Sequence, residues 1–160
     1  MALGCNLPGA YTSREALLEA ALVALPHERL EVVARSSWWR SDAWPDPNGP
    51  EYLNGVTLVR TALSPAETLA ALHRIEARFG RARGEANAAR TLDLDLVAHG
   101  RNVLDDVIVV PHPRAHERLF VMGPLAEVAP GWVHPVSGRT ALRLTRTATV
   151  GRDARPRERR

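Results

Sequence analysis

The order of hydrophobic periodicities along the chain is the tightest constraint on its fold. Residues 1–4 read as a very short strand. Thr12-Ser13-Arg14-Glu15 has the spacing of a capping box, and Leu17, Leu18, Ala21, Leu22 and Leu25 follow at helical intervals until Pro26. Leu30–Trp39 is rich in β-branched and aromatic residues and predicts one strand. Residues 40–51, with three prolines and a glycine, predict a long loop. Tyr52–Arg60 predicts a second strand, antiparallel to the first. Ser64-Pro65-Ala66-Glu67 is another capping box; Leu69, Leu72, Ile75 and Phe79 then form one helical stripe, closed by Gly80. Residues 81–91 are polar and irregular, Leu92–Ala98 predicts a strand, and Val107–Val110 a short extended piece. Residues 114–122 and 124–129 predict two short helices, and Trp132–Thr149 a mixture of turn, strand and helix.

The resulting order, β-α-β-β-α-β with a C-terminal extension, predicts an α+β fold. Its expected core is the split βαβ, ferredoxin-like arrangement, an antiparallel-rich sheet with helices packed on it. Such a fold hosts many functions, so function has to be read from particular residues. At 160 residues, 45% apolar and 24% charged, the composition is that of one globular domain. We place that domain at residues 1–150 and a basic tail, expected to be disordered, at 151–160. The tail Arg152–Arg160 holds five arginines and two acids, which is the whole net charge of +3. The remaining residues balance, which argues against a nucleic-acid partner. No apolar run approaches the roughly 18 residues of a spanning helix, so no membrane is expected. Met1–Asn6 has no secretory pattern. The single Cys5 excludes an internal disulfide and a thiolate metal site, and fits a reducing cytoplasm. All 21 basic residues are arginine, which excludes lysine Schiff-base chemistry and a phosphate-loop lysine.

Arg90-Thr91-Leu92-Asp93-Leu94-Asp95-Leu96 is the most informative run. On a strand the leucines face the core and the two aspartates face the other way, about 7 Å apart. Paired carboxylates repel unless cations bridge them, and oxygen ligands suit Mg²⁺ held together with substrate phosphates. Taken alone, the pair reads more readily as a solvated strand face, and it is the setting that shifts the reading. Arg74, Arg78, Arg81, Arg83 and Arg90 flank it, and arginine forks suit phosphate oxygens. Tyr52 and Asn54 share a strand face, an aromatic ring beside an amide, which suits a flat hydrogen-bonding heterocycle. Glu76 follows His73 by one turn on the side of the helix expected to be exposed. No phosphate-binding loop, nucleophile elbow or zinc spacing is present.

Several of these blocks, in order, resemble the 6-hydroxymethyl-7,8-dihydropterin pyrophosphokinase family. They are Leu3-Gly4-Cys5-Asn6-Leu7, Tyr52-Leu53-Asn54, Arg74-Ile75-Glu76, Gly80-Arg81, Arg90-Thr91-Leu92-Asp93-Leu94-Asp95, and Val110-Pro111-His112-Pro113 with Arg118 and Phe120. The resemblance implies transfer of pyrophosphate from ATP to the pterin hydroxymethyl oxygen, releasing AMP. It implies that Asp93 and Asp95 hold two Mg²⁺ ions and that Arg81 and Arg90 act on the phosphates. It places His73, Glu76, His112 and Arg118 at ATP. It places the pterin between Tyr52 and Phe120, read by Asn54 with the main chain of residues 41–44, Ser41 and Trp44 included. The expected partners are these small molecules, and the expected state is a monomer. Four departures stand out: a short opening strand, Cys5 for the usual serine, His73 for a glutamine, and Asn87 where many members carry tryptophan. The alternatives are a catalytically impaired paralogue that binds pterin or ATP, and a ferredoxin-like nucleic-acid-binding module.

Overall fold

Residues 1–43, 46–80 and 91–158 are described by a computed structural model. Along the chain run β1 (Ala2–Cys5), α1 (Arg14–Ala24), β2 (Glu31–Arg35), β3 (Trp39–Ser41), β4 (Tyr52–Arg60), α2 (Pro65–Arg78), β5 (Asp93–Asp95), β6 (Leu104–Asp105), β7 (Val109–Val110), α3 (Leu119–Val128), α4 (Ala141–Thr147) and β8 (Arg155–Pro156). The fold is α+β, and the named strands among the described residues pair antiparallel, with one isolated parallel bridge between Arg118 and Val150. The main sheet runs β5-β1-β4-β3-β8, with β2 on the far half of β4; β6 and β7 make a separate hairpin.

Alternation along the strands splits the core into two layers. Leu3, Cys5, Leu53, Leu92 and Leu94 meet Leu17, Leu18, Leu72 and Ile75 of α1 and α2 on one face. Ala2 and Val56 meet Val121, Met122, Leu125, Ala141 and Leu144 of α3 and α4 on the other. The predicted inward leucines of the acidic run are therefore buried, and its aspartates lie on the opposite face. No helix among the described residues is long and apolar enough to cross a membrane.

The second capping box forms as expected. Ser64 N–H donates to Glu67 Oε2 at 2.8 Å, and Glu67 N–H donates to Ser64 Oγ at 3.2 Å. The first does not. The N-cap is Ser13, whose Oγ accepts the Ala16 N–H at 3.1 Å, which leaves Glu15 in the first turn as a partner for the helix dipole.

Four other expectations are corrected. The single strand expected over Leu30–Trp39 is two, because the chain breaks at Ser36. Ser36 N–H donates to Val56 O at 2.9 Å, and Ser36 Oγ accepts the Val56 N–H at 3.0 Å. The ring of Trp38 then crosses Gly55, where an added Cβ would lie 2.5 Å from it. The strand over Leu92–Ala98 is confined to Asp93–Asp95, after which Val97 O accepts the His112 N–H at 2.8 Å. The two helices expected over 114–129 are one helical turn at Ala115–Glu117 and a continuous α3 that runs through Pro124. Burial of Val121, Met122, Gly123, Pro124 and Leu125 holds the helix despite the missing proline donor.

The tail expected to be disordered is the fourth. Arg155 and Pro156 pair with Arg40 and Trp39 of β3, Ala154 is buried, and Arg157 N–H donates to Trp38 O at 2.7 Å. A proline is tolerated there because β8 is an edge strand.

Gly123 lets α3 lie on Trp39, since a Cβ would sit 2.4 Å from that ring. Gly123→Ala is expected to cost about 1–3 kcal/mol through overpacking. A urea midpoint lowered at constant slope would register it, and an unchanged midpoint would contradict it.

Candidate active site

The acidic strand is held from both sides. In front, β5 pairs with β1 in the register Asp93 to Gly4 and Asp95 to Ala2. Behind, Glu76 of α2 accepts the Leu94 N–H at 2.7 Å. Glu76 is only 1% exposed, so its expected place on a solvated helix face is corrected. Its spacing from Leu72 and Phe79 put it on the buried stripe all along.

Gly4 allows a close approach at the floor of the cleft. A Cβ there would lie 3.1 Å from Asn54 Oδ1. Asn54 is buried and donates through Nδ2 to Ser41 Oγ at 3.0 Å, so the amide is held in a fixed orientation. Asn54 sits opposite both Gly4 of β1 and Trp39 of β3, which fixes it at the centre of the sheet.

Arg118 precedes α3, and its Nη1 is 3.9 Å from Asp95 Oδ2. Its guanidinium carbon stands 5.8 Å from the centre of the Phe120 ring. Phe120 is braced by Gly151, whose φ of +65° and lack of Cβ leave room for the ring edge.

These residues share one cleft of about 190 Å³. Ser41, Tyr52, Asn54, Asp93, Asp95, Arg118 and Phe120 line it, together with Ala2, Leu3, Gly4, Asp42, Arg114, Val121 and Val150. Seven predicted site residues thus converge from β3, β4, β5 and the start of α3.

His112 stands beside the acids rather than on the cleft lining. Burial pushes its pKa down, Asp95 and Asp93 oppose that, and Arg118 adds to it. The Arg114 N–H donates to His112 Nδ1 at 3.1 Å, which leaves the Nε2 proton for an outward donor. His73 is half-buried on α2 and is not among the lining residues. Arg74 and Arg78, expected beside the acids, both pair with the carboxylate of Glu28. Trp44, Arg81, Arg83, Asn87 and Arg90 lie outside the described residues.

Asp42 lies in the predicted 41–44 segment, whereas Arg114 and Val150, among the lining residues, were missed in the sequence reading. Arg114 had one signal, its place directly after Pro-His-Pro. Val150 had none, because its segment reads as irregular.

Cys5 has no part in this chemistry. Burial pushes its thiol up to about 12, only partly opposed by Arg14. Roughly one molecule in ten thousand would carry the thiolate at pH 8. A disulfide reagent at pH 8 is expected to leave the native protein unmodified and to titrate the one thiol after denaturation. Rapid labelling of the native protein would contradict the burial of Cys5.

The frame and the cleft are those of an enzyme acting on small molecules, with a carboxylate pair, arginines, a buried amide and two aromatic side chains on one lining. A family model described as 7,8-dihydro-6-hydroxymethylpterin-pyrophosphokinase matches residues 1–130. The chain belongs to this family. It is 45% identical to the 2-amino-4-hydroxy-6-hydroxymethyldihydropteridine pyrophosphokinase of Synechocystis over 144 residues, covering 89% of this chain and 71% of that one. Proteins of the same name from Pseudomonas aeruginosa and Bacillus subtilis are 40% and 36% identical. Those matches cover 81% and 80% of this chain, and 79% and 75% of theirs.

Proposed function

We infer that the protein transfers pyrophosphate from ATP to the hydroxymethyl oxygen of 6-hydroxymethyl-7,8-dihydropterin and releases AMP, a step of folate biosynthesis. Family membership supports the reaction, and ATP is its co-substrate. The observation that carries the reading to these residues is the shared cleft of Asn54, Tyr52 and Phe120 with Asp93 and Asp95.

In this reading the pterin lies between Tyr52 and Phe120. Asn54, oriented by Ser41, reads its amide edge, and the main chain at Ser41 and Asp42 completes that recognition. The triphosphate lies toward Asp93, Asp95, Arg114 and Arg118, with Arg81 and Arg90 on the phosphates. His112 offers its Nε2–H as a neutral donor there, and His73 serves the nucleotide side. Glu76 fixes β5 at the sheet edge through the Leu94 N–H, and its expected place at the nucleotide is kept in this reading.

Asp93 and Asp95 fit Mg²⁺. Their donors are hard oxygens, and the described residues hold no group of three or more metal-ligating side chains. Phosphates and water would have to complete the shell, which is the usual habit of Mg²⁺. Two ions are our reading of the number. When bound, the metal neutralises the phosphates and makes the β-phosphorus more electrophilic. The pterin hydroxymethyl oxygen attacks the β-phosphorus and gives up its proton to solvent, the bond to the α-phosphate oxygen breaks, and AMP leaves with that oxygen. The chain's own part is positioning and charge compensation rather than covalent catalysis.

We also read the frame as ferredoxin-like. The strand order β5-β1-β4-β2, with α1 and α2 as crossovers on one face, supports this. The same reading takes the chain as one catalytic domain acting as a cytoplasmic monomer. The relatives' names favour neither the nucleic-acid module nor a non-catalytic paralogue.

The test is incubation with ATP, Mg²⁺ and the dihydropterin, with AMP followed by chromatography. AMP that appears only with all three supports the reading. Its absence from the folded protein would favour the non-catalytic paralogue.

A further inference from the structure

The segment after α4 touches both sides of the slot assigned to the pterin. On one side, Gly151 abuts Phe120 so closely that an added Cβ would lie 2.4 Å from Cδ1 of the ring. On the other, the ladder between β3 and β4 ends at Ser41 and Tyr52, and Asp42 is the next residue. The Asp42 N–H donates to Asp153 Oδ2 at 2.6 Å. The two walls are therefore joined by Gly151-Arg152-Asp153.

This connector is itself fixed at both ends. Before it, Val150 N–H donates to Glu117 O at 2.9 Å, and Leu119 N–H donates to Val150 O at 2.9 Å, tying the segment to the start of α3. Within it, Ala154 N–H donates to Gly151 O at 3.0 Å and closes a turn. After it, β8 pairs with β3, and Arg157 forms an ion pair with Glu15 of α1. A carboxylate held between such anchors fixes the amide it accepts, and with it the main chain that follows β3.

We propose that Asp153 is a positioning residue for the pterin, holding the Asp42 main chain at a set distance from the Phe120 ring. Its role rests on the pterin assignment made above. Asp153 touches neither substrate. It acts through Asp42, so it governs capture of the pterin and leaves the nucleotide end alone. The C-terminal extension is thereby part of the substrate site.

The experiment compares the full-length chain with Asp153→Ala and Asp153→Asn. Alanine removes the acceptor, whereas asparagine keeps an oxygen that can take the Asp42 N–H. Loss of one partly exposed charge-assisted hydrogen bond is expected to raise the pterin KM of Asp153→Ala about fivefold, with the ATP KM within about twofold. Asp153→Asn is expected to stay near the native values. Hydrogen exchange at the Asp42 amide gives a readout independent of turnover. It should quicken in Asp153→Ala and return toward native in Asp153→Asn. An unchanged pterin KM, an equal rise in both KM values, or unaltered exchange at Asp42 would overturn the proposal. A native chain that forms no AMP would instead count against the assigned reaction. In that case pterin affinity by fluorescence, taken with the Asp42 exchange, still decides the role of Asp153.

Discussion

Asp95→Ala is expected to leave the chain folded and to lower AMP formation at saturating substrates by a factor on the order of a thousand. Asp95 lines the cleft, and its side chain keeps 35% of its surface exposed, so its loss opens no core cavity. What disappears is one of two carboxylates available for a divalent cation, along with the negative partner 3.9 Å from Arg118. In the proposed reading Asp93 alone does not replace the pair, because the charge on three phosphates would then go largely uncompensated. The Asp93→Ala variant is expected to fall as far, and the double variant little further, as groups acting as a unit behave. Initial rates with a thermal midpoint for each variant decide the matter. A loss below tenfold in a folded Asp95→Ala protein would remove Asp95 from the assigned role.

Glu76→Ala is expected to lower stability by about 2–4 kcal/mol and to reduce turnover with it. Glu76 is 1% exposed and accepts the Leu94 N–H at 2.7 Å. Alanine would leave that buried donor unmet and a cavity behind β5, between the two residues that carry the carboxylates. Glu76→Gln keeps an acceptor oxygen at nearly the same volume and should recover most of the stability. Denaturant unfolding of the three proteins separates these outcomes. Equal stabilities for the alanine and native chains would mean that Glu76 does not brace the strand.

Much of the site was legible because it rests on local rules. The leucine and aspartate alternation put the acids on the face opposite the core, and a strand needs nothing further to do so. Tyr52 and Asn54 were found the same way. The bounds of α2 came from Ser64, Pro65, Glu67 and Gly80, each acting within a few residues of itself. The misses share another cause, a partner distant in sequence. Ser36 breaks its strand because Val56 takes its hydrogen bonds, and no feature of residues 30–39 signals that. Arg155 and Pro156 have no strand propensity of their own; the open edge of β3 orders them. Glu76 was misread because charge outweighed spacing in the reading, whereas in the protein the Leu94 amide makes its burial tolerable. Arg74 and Arg78 went to Glu28 rather than to the acids for an equally remote reason.

β1 has only four residues, yet it lies between β4 and β5 and pairs with both. Leu3 is matched with Gly55 on one side and Leu94 on the other. Both closures span long loops, and the second brings together parts of the chain that emerge far apart in time during synthesis. Until residues 93–95 have left the ribosome, β1 has one open edge and the carboxylates of Asp93 and Asp95 have no sheet to stand on. Assembly of the site is thus coupled to a long-range closure, and nascent chains that pause before that point expose a short apolar strand to other polypeptides.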